Sequence, residues 1–253
     1  MPTDENGIIM EELDRVLATT ENVKLIYVIP DFQNPSGRTM PLERRKQFME
    51  IINKYEIPTI EDNPYGDLRF KGEFLPALRS MDTKDLIIYF GTFSKILSPG
   101  FRMGWINASH EVVEKVNLIM QASALQTPTI NALVISKYLD MFDIDAHVEK
   151  IRAVYKRRCQ LMIDTMRAEF PPEAKFTDPD GGLFTWVELP DYIDTRELAP
   201  KAMAQNVAYV PGSGFYPSGT TRNCMRLNYS NATDERIVEG IKRLGKVLRE
   251  ALA

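Results

Sequence analysis

Between Val23 and Ala108 short apolar runs alternate with amphipathic stretches, and this alternation restricts the fold more than any other feature of the chain. Residues 24–30 (KLIYVIP) are rich in branched and aromatic side chains and predict a buried strand. Residues 42–55 then repeat apolar positions at helical spacing, with Phe48, Met49, Ile51 and Ile52 on the inward face. Pro41 stands just before them, where its missing N–H costs a helix nothing. Further strands are predicted at residues 57–61, 86–91 and 103–107. Strand, helix, strand at this spacing points to a mostly parallel sheet with flanking helices, an α/β layer. In such sheets functional residues gather where strands end and loops begin.

The pattern changes after His110. Residues 111–120 and 129–142 predict helices separated by Pro128, and residues 146–170 predict a long charged helix stopped by Pro171 and Pro172. Short strands follow at 183–189, 207–210 and 224–229, with helices at 195–206 and 233–251. The expected division is a large domain over residues 1–142, including interdomain helices, and a smaller α+β domain over 143–253. Four strands make a thin sheet for the first, and the chain runs almost directly into one of them.

Composition excludes several function classes. Of 253 residues 44% are hydrophobic and 26% charged, enough apolar material for one large core or two smaller ones. The net charge is -4 and no basic stripe occurs, which argues against a nucleic-acid surface. No apolar run is long enough for a membrane span, and the acidic start, Met1 to Met10, does not resemble a signal peptide. Two cysteines, Cys159 and Cys224, are too few for a disulfide framework, so a cytoplasmic setting is expected. With only His110 and His147, a zinc site or a Ser-His-Asp triad lacks material, and no metal is expected.

Four clusters carry chemistry. In Gly91-Thr92-Phe93-Ser94-Lys95, followed by Arg102, a lysine sits just after a strand among hydroxyls. A buried lysine with a lowered pKa forms a Schiff base with an aldehyde cofactor. Thr92, Ser94 and Arg102 together can hold a phosphate. An isolated loop lysine is ordinarily a solvated surface residue, and the hydroxyls and arginine at fixed offsets weigh against that here. In Glu61-Asp62-Asn63-Pro64-Tyr65-Gly66, an aspartate at a strand end can pair with a protonated pyridine nitrogen, and Tyr65 can reach a ring hydroxyl. The same residues also make an ordinary turn. Asn34, in Asn34-Pro35-Ser36-Gly37, can donate to a ring hydroxyl or a substrate carboxylate, although that tetrapeptide is a common loop; Asp31 is expected to be a loop or helix-flanking charge. Arg226 alternates with apolar neighbours over residues 224–229, so it lies on a solvated face, slightly favoured by the pattern, or in a cleft where it can clamp an α-carboxylate.

In this order the clusters VIPDFQNPSGRTM, EDNPYGDLRF and GTFSKILSPGFRMGW, with Arg226 behind them, resemble the fold-type I, class I/II aminotransferases that use pyridoxal 5'-phosphate. The nearest branch holds 2-aminoadipate and kynurenine aminotransferases and the aminotransferase-like domains of some transcription regulators. The resemblance implies that this chain is part of the large, cofactor-binding domain plus the small domain. It implies Lys95 as the cofactor-bearing lysine and proton carrier, with Asp62 on the pyridine nitrogen. Tyr65 and Asn34 would contact the ring hydroxyl, Thr92, Ser94 and Arg102 the phosphate, and Arg226 the substrate carboxylate, against the solvated-face reading. The implied reaction moves an amino group between an α-amino acid and a 2-oxo acid such as 2-oxoglutarate, in a homodimer. The family also carries a preceding segment, absent from this sequence, that supplies a glycine-rich phosphate turn, a stacking aromatic and further strands. A partial cofactor pocket is the expectation.

Three other readings stay open on sequence. One is the effector-sensing domain of a transcription regulator, which requires a basic winged-helix segment. Another is a non-catalytic remnant, and the third is β-elimination on the same lysine.

Overall fold

The computed structural model describes residues 1–217 and 219–252. Two compact units divide the chain: Met1–Asp31 with Thr39–Ile151, and Phe32–Arg38 with the chain from Arg152 onward.

The first unit opens with a two-residue hairpin, β1 (Thr3–Asp4) and β2 (Gly7–Ile8), then helix α1 (Met10–Thr19). Strand β3 (Ile26–Val28), helix α2 (Leu42–Tyr55) and strand β4 (Thr59–Asp62) follow. The four-residue helix α3 (Leu78–Met81) leads to β5 (Ile87–Thr92) and β6 (Gly104–Asn107). Helices α4 (His110–Ala124) and α5 (Thr129–Met141) come next, and α6 (Ile144–Glu169) carries the chain on into the second unit.

The sheet order is β3-β4-β5-β6. The first three strands are parallel and β6 runs antiparallel to β5, so the sheet is mostly parallel, as expected, with one antiparallel edge strand. The cause is the connection: residues 93–103 form a tight loop without the long crossover that a parallel neighbour needs. One sheet face is covered. Met10, Leu13 and Leu17 of α1 and Phe48, Met49 and Ile52 of α2, spaced at one helical stripe each, pack with Val28, Met40, Leu78 and Ile87. Ile51 is only partly buried at the margin of this core.

A polar cluster lies beside it. Arg45, fully buried, donates to the Met40 carbonyl (2.9 Å), the Pro76 carbonyl (2.8 Å) and Asp31 Oδ1 (2.8 Å). Arg69 also donates to Asp31 Oδ1, at 3.1 Å. Glu61 accepts the backbone N–H groups of Leu78 and Arg79 at 2.9 and 2.8 Å, which are orphan donors at the start of α3. Burial pushes the Glu61 carboxyl above the usual range, and these N–H groups and Arg45 pull the other way.

The second unit is an antiparallel sheet in the order β7-β8-β10-β9, from β7 (Lys175–Phe176), β8 (Phe184–Glu188), β9 (Val210–Pro211) and β10 (Cys224–Asn228). Helix α7 (Thr195–Ala204) is capped by Asp194, whose carboxylate accepts from Arg196 and Glu197 N–H. Helix α8 (Asp234–Leu252) buries Ile237, Ile241, Leu244, Val247 and Leu248. The strand predicted at 207–210 is present only as β9. Asn206 takes a left-handed backbone (φ 58°) and the Val207 N–H returns to the Ala202 carbonyl, so these residues close α7 instead of extending.

Phe32–Arg38 packs with this second unit. The Phe32 ring fills the space beside Gly181 and Gly182, where any Cβ would collide with it. Gly37 (φ 70°) brings its backbone against the Phe184 carbonyl, and Thr177 Oγ1 donates to the Ser36 carbonyl at 2.9 Å. Among the described residues no helix is long and apolar enough to cross a membrane.

Candidate active site

Within the first unit, Asp62 is the last residue of β4 and pairs with Phe90 of β5. Thr92 ends β5, and the turn that follows carries Ser94 and Lys95. Asp62 and Lys95 therefore stand at the C-terminal ends of adjacent parallel strands, the edge where α/β sheets collect functional groups. The turn is closed by its own bonds. Thr92 Oγ1 donates to the Met103 carbonyl (3.2 Å) and accepts the Ser94 N–H (3.1 Å), while Leu97 and Ser98 N–H return to the Phe93 carbonyl. Lys95 is half-buried in it.

A single turn of 3₁₀ helix, Pro99–Phe101, begins at Ser98, whose hydroxyl accepts the Gly100 N–H at 3.3 Å. Arg102 ends it in the left-handed conformation (φ 52°), at a cost of about 1–2 kcal/mol for a residue with a Cβ. Its side chain is exposed. Asp62 has a partner that the sequence reading missed: the Tyr27 hydroxyl, from β3, donates to Asp62 Oδ2 at 2.5 Å. Tyr65 lies in a turn stapled by Asn63, which accepts the Gly66 N–H at 2.9 Å and donates to the Tyr89 hydroxyl at 3.1 Å. The turn is enclosed at Tyr65, which keeps 5% of its surface.

Within the second unit, Arg226 is the central residue of β10, opposite Trp186 of β8. Its Nη1 donates to the Asn34 side-chain carbonyl at 2.6 Å. The guanidinium carbon stands 4.1 Å from the centroid of the Phe184 ring and 5.2 Å from that of Phe215. Trp186 meets Phe215 edge-on at 5.7 Å. Arg226 is therefore half-buried among aromatic faces, not on the solvated face that alternation slightly favoured. Asn34 is held by its neighbours: Gln33 Oε1 accepts from both the N–H and the hydroxyl of Ser36, and Gln33 Nε2 donates to the Asn34 carbonyl.

The family model for aminotransferase class I and II matches residues 1–244. The chain belongs to this aminotransferase family. It is 40% identical to aromatic-amino-acid aminotransferase 1 of Thermococcus litoralis, over all of this chain and 61% of that protein. It is 35% identical to the 2-aminoadipate transaminase of Thermus thermophilus, covering 100% of this chain and 64% of the other. Its fold superposes on the crystal structure of Pyrococcus horikoshii kynurenine aminotransferase with a TM-score of 0.97 and 38% identity, over 100% of this chain and 64% of that one. The chain thus spans a little under two thirds of the length of these aminotransferases.

Placed in the aminotransferase fold, the expected site residues fall into two groups, each assembled inside its own unit. Asp62, Tyr65, Thr92, Ser94, Lys95 and Arg102 belong to the first, Asn34 and Arg226 to the second. Sequence reasoning also missed the two rings beside Arg226, for which the only signal is the aromatic density of β8 and of residues 212–216. Asp31, expected as a loop or helix-flanking charge, lies in a loop and is buried there between two arginines.

Proposed function

We propose that this chain carries the lysine-bearing part of a pyridoxal-phosphate-dependent aminotransferase, acting on an α-amino acid and a 2-oxo acid such as 2-oxoglutarate. The observation that carries this reading is the placement of Asp62 and Lys95 at neighbouring parallel strand ends in a chain of the aminotransferase class I and II family.

The donor set fits the cofactor. Asp62 is a carboxylate suited to a protonated ring nitrogen, and Lys95 offers a primary amine on a turn fixed by Thr92. Ser94 and Arg102 suit the phosphate; Thr92 contributes its hydroxyl partly to the loop itself. Tyr65 and Asn34 are assigned to the ring hydroxyl, and Arg226, kept rigid by Asn34 and Phe184, to the substrate α-carboxylate. When bound, the cofactor supplies an electron sink for the bonds at the substrate Cα. Lys95 would hold it and, once its amine is released, would accept and return the Cα proton; Asp62 would keep the ring nitrogen charged, and Arg226 would orient the acid.

The likeness to an aromatic-amino-acid aminotransferase and to a 2-aminoadipate transaminase supports aromatic and 2-aminoadipate-like amino acids as the substrate class. We assign a cytoplasmic setting, in keeping with two buried cysteines, and a homodimer as the working form, the assembly that the family resemblance implies.

The test is the absorption spectrum of the purified chain with added pyridoxal phosphate, before and after borohydride reduction, followed by peptide mapping. A Schiff-base band with the label on Lys95, lost in Lys95→Ala, is expected. Label scattered over surface lysines would overturn the reading.

A further inference from the structure

Tyr27 has no place in the function proposed above, yet its phenol binds one of the two oxygens of Asp62 at 2.5 Å. We propose that Tyr27 is a positioning residue: it fixes the rotation of the Asp62 carboxylate so that the second oxygen faces the cofactor's ring nitrogen. This rests on the assignment of Asp62 to that nitrogen.

The contact is set by sheet register, not by a loop. Tyr27 pairs with Ile60 on β4, and Asp62 lies two residues further along the same face. Diagonal neighbours at that spacing are within reach of a long aromatic side chain. An aspartate left alone turns freely about its terminal torsion, which is broad and two-fold. A donor anchored on the adjacent strand removes that freedom.

The chemical nature of the donor matters as well. An arginine or lysine would fix the carboxylate equally well but would neutralise it, weakening its hold on a protonated nitrogen. A phenol orients without adding charge. Burial, and then the Asp62 charge, raise the Tyr27 hydroxyl far above its ordinary value, so it remains a donor across any working pH.

The experiment compares the whole chain as wild type, Tyr27→Phe, Asp62→Asn and the double variant. Without cofactor, the carbon NMR shift of labelled Tyr27 is compared at one neutral pH between wild type and Asp62→Asn; loss of the acceptor should move the ring-carbon signal, which reads the bond itself. With 15N-labelled pyridoxal phosphate, the binding constant and the ring-nitrogen shift are then measured. Tyr27→Phe should keep the fold by circular dichroism, weaken cofactor binding about 3- to 10-fold, and move the nitrogen shift in the same direction as Asp62→Asn. The double variant should bind no worse than Asp62→Asn alone. Unchanged affinity and nitrogen shift in Tyr27→Phe, with the bond present by NMR, would overturn the proposal and leave a surface pairing. If the wild type takes no cofactor on Lys95, the function proposed above fails and this role fails with it, an outcome separate from the NMR result.

Discussion

Arg226 and Asn34, 192 residues apart in the chain, are joined by a 2.6 Å hydrogen bond from the guanidinium to the amide oxygen. The bond and the Phe184 ring hold the guanidinium plane in one orientation, which a lysine at the same position cannot reproduce. Arg226→Lys should therefore weaken 2-oxoglutarate binding to the cofactor-loaded chain about 10- to 100-fold. Labelling of Lys95 should be untouched. An absorbance titration with the oxo acid reads both, and unchanged binding would remove Arg226 from the carboxylate role.

Asp31 pairs with two buried guanidiniums at once, those of Arg45 (2.8 Å) and Arg69 (3.1 Å). Removing it takes a shared countercharge away from both buried guanidiniums. Asp31→Ala should cost about 3–5 kcal/mol of stability. Urea unfolding checks this, and a loss below about 1 kcal/mol would mean that the arginines re-pair or reach solvent.

Gly91 of β5 lies directly under the indole of Trp105, and a Cβ there would fall inside the ring's contact surface. Gly91→Ala should cost about 1–3 kcal/mol by overpacking. Trp105 is 41% exposed and also leans on Phe93 (5.0 Å), in the Lys95 turn, so a shifted indole should loosen that turn. Combining Gly91→Ala with Trp105→Ala should restore part of the loss; strict additivity would place the strain elsewhere.

Burial pushes the Cys224 thiol up to about 11. The sign follows from the neutral form being favoured in the fold. The contribution is complete below the unfolded value of about 8.5 and is lost as pH rises from there through the folded value. Urea midpoints should fall more steeply over this alkaline range in the wild type than in Cys224→Ala. At about pH 8 neither Cys224 nor the equally buried Cys159 should react with a thiol reagent until the chain is unfolded. Rapid native labelling would contradict this.

What could be read in the sequence was whatever depends on local periodicity. Helix α2 is legible because Phe48, Met49 and Ile52 recur at helical spacing, and its start because Pro41 stands just before Leu42. Three parallel strands followed from the crossover logic around it. The direction of β6 was not legible, because it depends on how the Lys95 loop folds back, through the Thr92–Met103 bond among others. The four motif clusters were legible as residue types in order, but not their partners. Tyr27 meets Asp62 only through the register between two strands, which no single strand encodes. Alternation in β10 was ambiguous for Arg226 because both faces look alike until Asn34 and Phe184 are brought beside one of them.

The membership of Phe32–Arg38 in the second unit bears on how this protein can be taken apart. The gene writes that unit in two instalments, with most of the first unit between them. A fragment beginning at Arg152 would arrive without Phe32, leaving a hollow over Gly181 and Gly182, and without the amide that steadies Arg226. Swapping the tail end between relatives as a contiguous cassette would likewise separate Arg226 from Asn34, its hydrogen-bond partner. Exchange experiments here should move the short early segment and the long late one together.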